Sequence, residues 1–361
     1  MRAVVLVGGF GTRLRPLTRC TPKQMLPVVN RPMIERVLEH LGTHGVTSAV
    51  LSLGYRPEVF QETYPDGMCA GVELHYAIDP EPLDTAGAIR FAALDAGIAE
   101  RFLVMNGDVL TDLDIGALVA EHERTGAEGT IALHRVEDPS AFGVVPTDAD
   151  GRVTAFIEKP PREEAPTHLI NAGTYVLEPA MLDRIPPHRP VNVERVTFPA
   201  MVQDGALYAM DGDTYWVDAG TPATYLAANL DLLDGHRGVT ESGVHPEAEV
   251  DGAVVTAVVG AGARIAEGAI VSGSVVLPGA TIGRGARIQD AIVGARAVVG
   301  AGAELAGGTV VGDDEVVPDG AVLVGVRVPE EDWCTPWSPE EPGSSARRSW
   351  TGCWPRAIAW T

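Results

Sequence analysis

The sequence predicts an α/β protein with a doubly wound, mostly parallel sheet, followed by a short parallel β-helix. Strand-like and helix-like stretches alternate from residue 1 to about residue 235, as in βα units. From Val259 onward, aliphatic residues recur at six-residue intervals, as in the stacked coils of a β-helix. A glycine-rich turn follows the first strand, at the edge where open α/β sheets bind ligands.

The chain of 361 residues is long for a single core, so two domains are expected. We expect an α/β domain over residues 1–237, a β-helix over 238–329 and an irregular tail over 330–361. The tail contains five of the six tryptophans. It is interpreted as a poorly ordered terminus or, alternatively, as an aromatic clamp onto a neighbouring subunit.

The first domain starts with a strand over Met1–Val7, whose apolar run suits a sheet buried on both faces. A helix is predicted over 32–42, with proline at its start and glycine at its end. Further strands are predicted over Val50–Leu53 and Phe102–Met105. The second of these leads into Asn106-Gly107-Asp108.

The β-helix prediction depends on an aliphatic ladder with glycine, alanine and small polar residues between its members. Phase slips of one residue before Val276 and Val293 would fall at corners. A Gly/Ala-rich linker is the alternative, and six consecutive matches from Val293 argue against it. The ladder comprises Val259, Ile265, Val271, Val276, Ile282, Ile288, Val293, Val299, Leu305, Val311, Val317 and Leu323.

Composition narrows the choice of partners and compartment. A net charge of −22 argues against nucleic acid or an anionic membrane, and an anionic substrate would need a local cluster of cations. No apolar run reaches the ~18–20 residues of a membrane span, and the chain opens on a strand, not on a signal peptide. The four cysteines, Cys20, Cys69, Cys334 and Cys353, lack metal or disulfide spacing, so the cytoplasm is the expected setting.

The turn after the first strand combines glycines with cations. Gly8, Gly9 and Gly11 let backbone N–H groups approach a ligand, while Arg13, Arg15 and Lys23 follow closely. Neither the P-loop spacing nor the dinucleotide-binding pattern is present. The combination suits a polyphosphate.

The run Leu6–Thr18, followed by Pro22–Val28, resembles the signature of sugar-phosphate nucleotidyltransferases, and most of all that of mannose-1-phosphate guanylyltransferases. The resemblance covers residues 1 to about 328. It implies a Rossmann-like nucleotidyltransferase domain and a left-handed β-helix. It also implies Mg²⁺-dependent transfer of a nucleotidyl group to a sugar 1-phosphate, with release of pyrophosphate. GTP and mannose 1-phosphate are the expected substrates.

For the nucleotide, the resemblance implies that Lys23 contacts the α-phosphate and Arg13 the β- and γ-phosphates, so both are catalytic. Arg15 could equally serve in a salt bridge. Asp108 and Asp218 resemble the family's metal-binding aspartates, and carboxylates suit Mg²⁺. Asp112 and Asp114 are interpreted as a loop residue and a helix cap. The complete nucleotide set is Leu6, Gly8, Gly9, Gly11, Thr12, Arg13, Lys23, Asp84, Gly87 and Asp108.

For the sugar phosphate, three further segments resemble family motifs: Ala141–Val145, Ala155–Pro160 and Asn171–Leu177. By resemblance, Lys159 holds the phosphate and is catalytic, and Glu158 and Asn171 bond sugar hydroxyls. Gly143 would allow close approach of the sugar ring, and Asp218 also belongs to this site. Glu194 is assigned equally to the site or to a structural helix.

Two residues bear on the choice of base and sugar, Asp84 and Gln24. Asp84 stands where the family's Glu-Pro-Leu-Gly-Thr-Ala-Gly motif has its first glycine, and its side chain either faces solvent or accepts from guanine N1–H and N2–H₂. Gln24 is reminiscent of thymidylyltransferases acting on glucose 1-phosphate. A cyclitol phosphate is an alternative acceptor.

A regulatory subunit and an acyltransferase are the alternative classes of protein. A non-catalytic regulatory subunit would have lost phosphate or metal residues, whereas Arg13, Lys23, Asp108, Lys159 and Asp218 are all present. Acyl transfer on the β-helix would need a histidine, and the last one is His245. The β-helix is therefore expected to support assembly or a lid, and a homo-oligomer is expected.

Overall fold

A computed structural model describes residues 1–237 and 240–330 of the protein. The Trp-rich tail, apart from Glu330, and Cys334 and Cys353 therefore lie outside the described residues. Chain contacts divide the molecule into two compact units. Unit 1 comprises residues 1–9 and 33–218, and unit 2 comprises residues 10–32 together with the chain from Ala219 onward.

The helices are α1 (Met33–Thr43), α2 (Pro57–Thr63), α3 (Asp84–Asp95), α4 (Ile115–Thr125), α5 (Phe198–Gln203) and α6 (Pro222–Leu233). Short 3₁₀ turns cover Thr12–Leu14, Lys23–Met25, Arg162–Glu164 and Pro179–Arg184, and a π-helical turn covers Val193–Thr197. The strands up to residue 218 are β1 (Arg2–Leu6), β2 (Pro27–Val28), β3 (Arg31–Pro32), β4 (Ser48–Leu53), β5 (Met68–Cys69), β6 (Val72–Ile78), β7 (Phe102–Asn106), β8 (Val109–Thr111), β9 (Gly129–Arg135), β10 (Gly143–Val144), β11 (Ile157–Glu158), β12 (Leu169–Leu177), β13 (Leu207–Asp211) and β14 (Trp216–Asp218).

Unit 1 is built on a mixed sheet with strand order β11-β10-β12-β7-β1-β4-β6-β5, with β9 bonded to β12 and β13. Strands β7, β1, β4 and β6 are parallel, and β12 runs antiparallel to β7. Val4, Val5, Val50 and Val104 are almost fully buried, as expected of apolar strands covered on both faces. The predicted α/β class is confirmed, with antiparallel pairs on the β12 side.

Helix α1 begins one residue after Pro32 and ends one residue beyond Gly42. Asp114 caps α4, because its carboxylate accepts from the backbone N–H of Ala117 at 2.9 Å. No helix in the described part of the chain is long and apolar enough to cross a membrane.

The C-terminal part of unit 2 consists of parallel strands in three stacked sheets, consistent with a left-handed β-helix. Each sheet takes one strand from each successive coil. The strands are β15 (Glu249–Val250), β16 (Ala253–Val255), β17 (Val258–Val259), β18 (Arg264–Ile265), β19 (Ile270–Ser272), β20 (Val275–Val276), β21 (Thr281–Ile282), β22 (Arg287–Gln289), β23 (Ile292–Val293), β24 (Val298–Val299), β25 (Glu304–Ala306), β26 (Val310–Val311), β27 (Val316–Val317), β28 (Val322–Val324) and β29 (Arg327–Val328).

The predicted aliphatic ladder is the core of this helix. Every member from Val259 to Val317 is at most 1% exposed, and Leu323 is partly buried at the end of the stack. The phase slips lie in turns, the first at Gly273-Ser274 and the second at Asp290-Ala291. Ser274 is buried at the first turn, where its hydroxyl donates to the Ser272 carbonyl at 2.7 Å. A buried polar group thus has the partner that it needs.

Asp313 carries an unfavourable charge in this unit. Its Oδ1 accepts from the Ala295 N–H at 2.9 Å, and burial raises its pKa to about 6. A raised carboxyl pKa means that the folded protein binds the proton more tightly than the unfolded chain does. The contribution of this group to stability is therefore fully present below about pH 4 and is lost as the pH rises to about 6.

We expect Asp313→Asn, which keeps the acceptor oxygen but removes the charge, to raise the free energy of unfolding at pH 7.5 by about 1 kcal/mol. Asp319→Asn is the matched control, since Asp319 makes the same bond to the Ala301 N–H at 2.8 Å from an exposed position. Thermal melts at pH 4 and 7.5 measure both. Equal effects of the two substitutions at pH 7.5 would contradict this explanation.

Candidate functional site

In unit 1, the first strand and its neighbours bring the turn residues to one edge of the sheet. Leu6 lies opposite Asn106 in the parallel pair, and its carbonyl accepts from the Gly107 N–H at 3.0 Å. A Cβ on Gly8 would lie 3.3 Å from the backbone nitrogen of Gly54, so glycine lets the two turns approach. Leu6, Gly8 and Asp108 therefore share the carboxyl edge of the sheet, and Gly9 is exposed next to them.

In unit 2, the rest of the signature forms a tight turn. Gly11 has φ +62°, and its carbonyl accepts from the Thr18 hydroxyl at 2.7 Å. A Cβ on Gly11 would lie 3.1 Å from Thr18 and 3.3 Å from the Lys23 side chain, so the turn closes tightly on Lys23. Thr12 and Arg13 are exposed on this turn, while Lys23 is half-buried.

The two metal-binding candidates lie at the ends of neighbouring segments of unit 1. Strands β8 and β14 pair antiparallel with Asp218 opposite Val109, the residue after Asp108. Asp108 is 7% exposed. Within residues 1–237 and 240–330, no group of three or more His, Cys, Asp or Glu side chains could hold a metal ion. Asp218 and the residue after Asp108 thus lie side by side on paired strands, and aspartate carboxylates are oxygen ligands of the kind that Mg²⁺ prefers.

A small polar cavity of about 120 Å³ in unit 1 collects the predicted sugar-phosphate residues. Lys159 is in the left-handed region with φ +51°, and its Nζ lies 3.3 Å from Glu158 Oε1. Asn171 donates to the Tyr175 hydroxyl at 2.9 Å and accepts from the Gly173 N–H at 3.0 Å, so its amide orientation is fixed. The cavity is lined by Asn106, Val109, Ala141, Phe142, Gly143, Glu158, Lys159, Asn171, Ala172, Gly173, Glu194, Trp216 and Asp218.

Gly143 is required by the packing under this cavity. A Cβ there would lie 2.7 Å from the Phe156 ring and 3.1 Å from Glu158 Oε2. Strand β10 places Gly143 directly opposite Glu158 on β11. The absent side chain thus leaves room for protein atoms that position Glu158.

Trp216 lines the cavity although the sequence did not assign it there, and Glu194, which the sequence assigned equally to the site or to a structural helix, also lines it. Trp216 donates to the Ala172 carbonyl at 2.9 Å and packs edge-on against Phe142. Burial raises the pKa of Glu194, and the nearby carboxylates of Glu158 and Asp84 add to the increase. The resemblance of the Glu194 and Trp216 segments to family motifs was the available signal, but it did not specify side-chain direction.

The unusual Asp84 is the first residue of α3. Its φ is +55°, in the region that glycine adopts most easily, which accounts for glycine at this place in the family motif. Asp84 Oδ1 accepts from the Thr85 N–H at 2.7 Å and from Asn192 Nδ2 at 3.1 Å. The bond to the neighbouring Thr85 N–H is local, as when an aspartate side chain bonds its own backbone and so tolerates a left-handed conformation.

Gly87 is buried in α3. A Cβ there would lie 2.9 Å from the Leu83 Cβ and 3.3 Å from the Arg189 carbonyl, so α3 packs closely on that segment. Gly87 also borders a second cavity of about 380 Å³, which Arg90 and Arg189 help to line.

Comparison with known proteins identifies the class. A family model described as "Nucleotidyl transferase" matches residues 2–235, and one described as "GMPPB C-terminal domain" matches residues 239–331. The chain therefore belongs to the nucleotidyl transferase family, and it is an enzyme of that class. The resemblance noted in its signature is confirmed.

Individual relatives are more specific. The chain is 41% identical over 306 residues to "Mannose-1-phosphate guanylyltransferase" of Mycobacterium tuberculosis, covering 80% of this chain and 82% of the relative. It is 39% identical to "Mannose-1-phosphate guanylyltransferase catalytic subunit beta" of Drosophila pseudoobscura pseudoobscura, covering 73% and 72%. Among solved structures, HddC from Yersinia pseudotuberculosis complexed with GMP-PN is similar, with a TM-score of 0.55 and 29% identity over 63% of this chain and 97% of HddC.

Thr85 joins α3 to the π-helical turn that carries Glu194. Its hydroxyl accepts from the Val193 N–H at 2.8 Å and donates to Glu194 Oε2 at 3.1 Å. We expect Thr85→Val, which keeps the shape but removes both bonds, to lower the free energy of unfolding by about 1–3 kcal/mol. Urea denaturation measures this, with Thr85→Ser as the control that retains the hydroxyl. A valine variant as stable as the serine variant would contradict the assignment.

Proposed function

We propose that this enzyme transfers the guanylyl group of GTP to mannose 1-phosphate and releases pyrophosphate, giving GDP-mannose. A phosphate oxygen of the sugar phosphate attacks the α-phosphorus, and the bond from that phosphorus to the oxygen bridging the β-phosphate breaks. The observation that carries the proposal is the cavity of unit 1, where a lysine, a carboxylate and an oriented amide converge beside Asp218. The names of the relatives support the choice of substrates.

The nucleotide is assigned to the signature and its neighbours. Arg13 and Lys23 are proposed to neutralise the triphosphate, Arg13 at the leaving pyrophosphate and Lys23 at the α-phosphate, where charge develops in the transition state. Backbone N–H groups of the turns supply further donors. The proposed nucleotide set remains Leu6, Gly8, Gly9, Gly11, Thr12, Arg13, Lys23, Asp84, Gly87 and Asp108.

The acceptor is assigned to the small cavity. Lys159 is exposed, and it is paired with Glu158 at 3.3 Å, so the incoming phosphate would share its ammonium. Glu158 would then accept from sugar hydroxyls, and the Asn171 amide would add a directed contact. Gly143 and Asp218 complete the proposed acceptor set.

Mg²⁺ is proposed to bind Asp108, which immediately precedes β8, and Asp218, which lies on β14 opposite the first residue of β8. When bound, the ion would supply positive charge to phosphate oxygens. The proposed nucleotide and acceptor residues bind the two substrates and orient them for attack.

The buried position of Gln24 bears on the choice of base. Gln24, the residue reminiscent of thymidylyltransferases, is 1% exposed, so its side chain belongs to the packing of the signature segment. Thymidylyl transfer to glucose 1-phosphate and transfer to a cyclitol phosphate are the alternatives that substrate tests must exclude. A regulatory subunit is less consistent with the retained Arg13, Lys23, Asp108, Lys159 and Asp218.

The defining experiment pairs each of GTP, dTTP, UTP and ATP with mannose 1-phosphate, glucose 1-phosphate and a cyclitol phosphate, and follows pyrophosphate release. Reactions without Mg²⁺ test the metal. The proposal expects fastest release with GTP and mannose 1-phosphate. A faster reaction with another pair would replace the substrates, and no release from folded protein would favour the regulatory role.

We expect Lys23→Ala and Lys159→Ala to differ in kinetic signature. Loss of Lys23 should lower kcat by roughly 10²–10³, because its charge acts most strongly in the transition state. Loss of Lys159 should also raise the KM for the sugar phosphate. Steady-state kinetics of pyrophosphate release measure both, and normal melting curves show that each variant is folded. Near-normal turnover in folded Lys23→Ala would contradict the mechanism.

Asp84→Gly tests whether the Asp84 carboxylate selects guanine by accepting from its N1–H and N2–H₂ groups. Since Asp84 Oδ1 already accepts two protein hydrogen bonds, we expect the ratio of kcat/KM for GTP to that for ATP to change less than threefold, about 0.6 kcal/mol. The glycine itself should be tolerated because φ is positive there. A tenfold or larger fall in the ratio would show that Asp84 selects the base.

A further inference from the structure

Arg327 connects the last coil of the β-helix to the signature turn. Its Nη1 donates to the Arg15 carbonyl at 2.8 Å, and its Nη2 donates to the Arg13 carbonyl at 3.1 Å. All of these residues belong to unit 2, although Arg327 and Arg13 are 314 positions apart. One guanidinium thus spans the residue before and the residue after Leu14.

The bonds from Arg327 alternate along the turn with backbone bonds to neighbouring carbonyls. Backbone N–H groups at positions 14, 15, 17 and 19 donate to the carbonyls of Gly11, Thr12, Leu14 and Pro16. Arg327 bonds the carbonyls between them. A planar fork with two parallel N–H donors suits this spacing, and it loses less entropy per bond than a flexible ammonium would.

Other contacts place the same coils against the turn. A Cβ on Gly312 would lie 3.0 Å from Pro16, so the backbone of the coil approaches the turn closely there. Arg19 pairs with Glu315 at 3.6 Å. Leu14 itself is fully buried, which fixes the middle of the turn while Arg13 stays exposed.

We propose that Arg327 is a positioning residue for Arg13, so that the last coil of the β-helix sets the affinity for the nucleoside triphosphate. The inference rests on the proposed role of Arg13 at the β- and γ-phosphates. Fixing the carbonyls of Arg13 and Arg15 fixes the direction in which the Arg13 side chain leaves the backbone. A turn ordered in advance binds more tightly because it loses less conformational entropy when the ligand arrives.

The structural half of the proposal is tested without ligand or turnover. Hydrogen exchange of peptides covering residues 10–19 is compared among wild type, Arg327→Ala and Arg264→Ala. Arg264 is the matched control, since it pairs with Glu249 at 3.2 Å on an early coil. We expect exchange in the turn to speed up roughly three- to tenfold in Arg327→Ala only. Unchanged exchange in this variant would overturn the proposal whatever the enzyme's substrates prove to be.

The functional half is tested by steady-state kinetics of the same variants. In Arg327→Ala the KM for the triphosphate should rise roughly three- to tenfold, with the KM for the sugar phosphate unchanged. Arg327→Lys should recover part of the loss, because an ammonium can still donate to the carbonyls. Equal effects on both KM values, or the same loss in Arg264→Ala, would overturn the positioning role. If exchange speeds up in Arg327→Ala while the wild type turns over none of the substrate pairs, the structural half of the proposal stands and the proposed function fails.

Discussion

The backbone of the signature segment is held in place by side chains that come from far along the chain. The Tyr225 hydroxyl donates to the Pro27 carbonyl, and Asn229 Oδ1 accepts from the Val29 N–H at 2.8 Å. Both side chains are fully buried, and Arg327 holds the carbonyls of the turn itself. A segment with few regular hydrogen bonds must find such partners. The positions of Arg13 and Lys23 depend on this network, because both lie on the backbone that it secures.

Repetition and local chemistry made much of the molecule predictable. The hexad ladder could be read from the sequence because each coil repeats the same short-range pattern, from Val259 to Val317. The end of β7 could be located because an apolar run stops at Asn106-Gly107-Asp108. Other features depend on residues remote in sequence, such as Thr85 with Glu194, 109 positions apart, and the carbonyls taken by Arg327. The sequence assigned Gly87 to the nucleotide. Its close packing on the Arg189 carbonyl involves a residue about 100 positions away, so only the folded structure shows it.

Positively charged side chains are scarce in this acidic protein, and the lysines among them lie in the proposed substrate sites. The chain has a net charge of −22, and it contains only two lysines, Lys23 and Lys159. Both belong to segments that resemble family motifs, one assigned to the nucleotide and the other to the sugar phosphate. An acidic protein repels phosphates over most of its surface, so local cations must provide the attraction. In the proposed assignment, each lysine supplies positive charge to one of the two anionic substrates, and Arg13 adds to it at the triphosphate.

This pair of lysines permits a direct measurement on the unmodified enzyme. An amine-specific acetylating reagent, followed by mass spectrometry, gives the labelling rate of each lysine separately. If the substrates bind as proposed, GTP will slow the labelling of Lys23 and leave Lys159 reactive. Mannose 1-phosphate will slow the labelling of Lys159. Unchanged labelling of Lys23 at saturating GTP, or protection of Lys159 by GTP alone, would contradict the assignment of one lysine to each substrate.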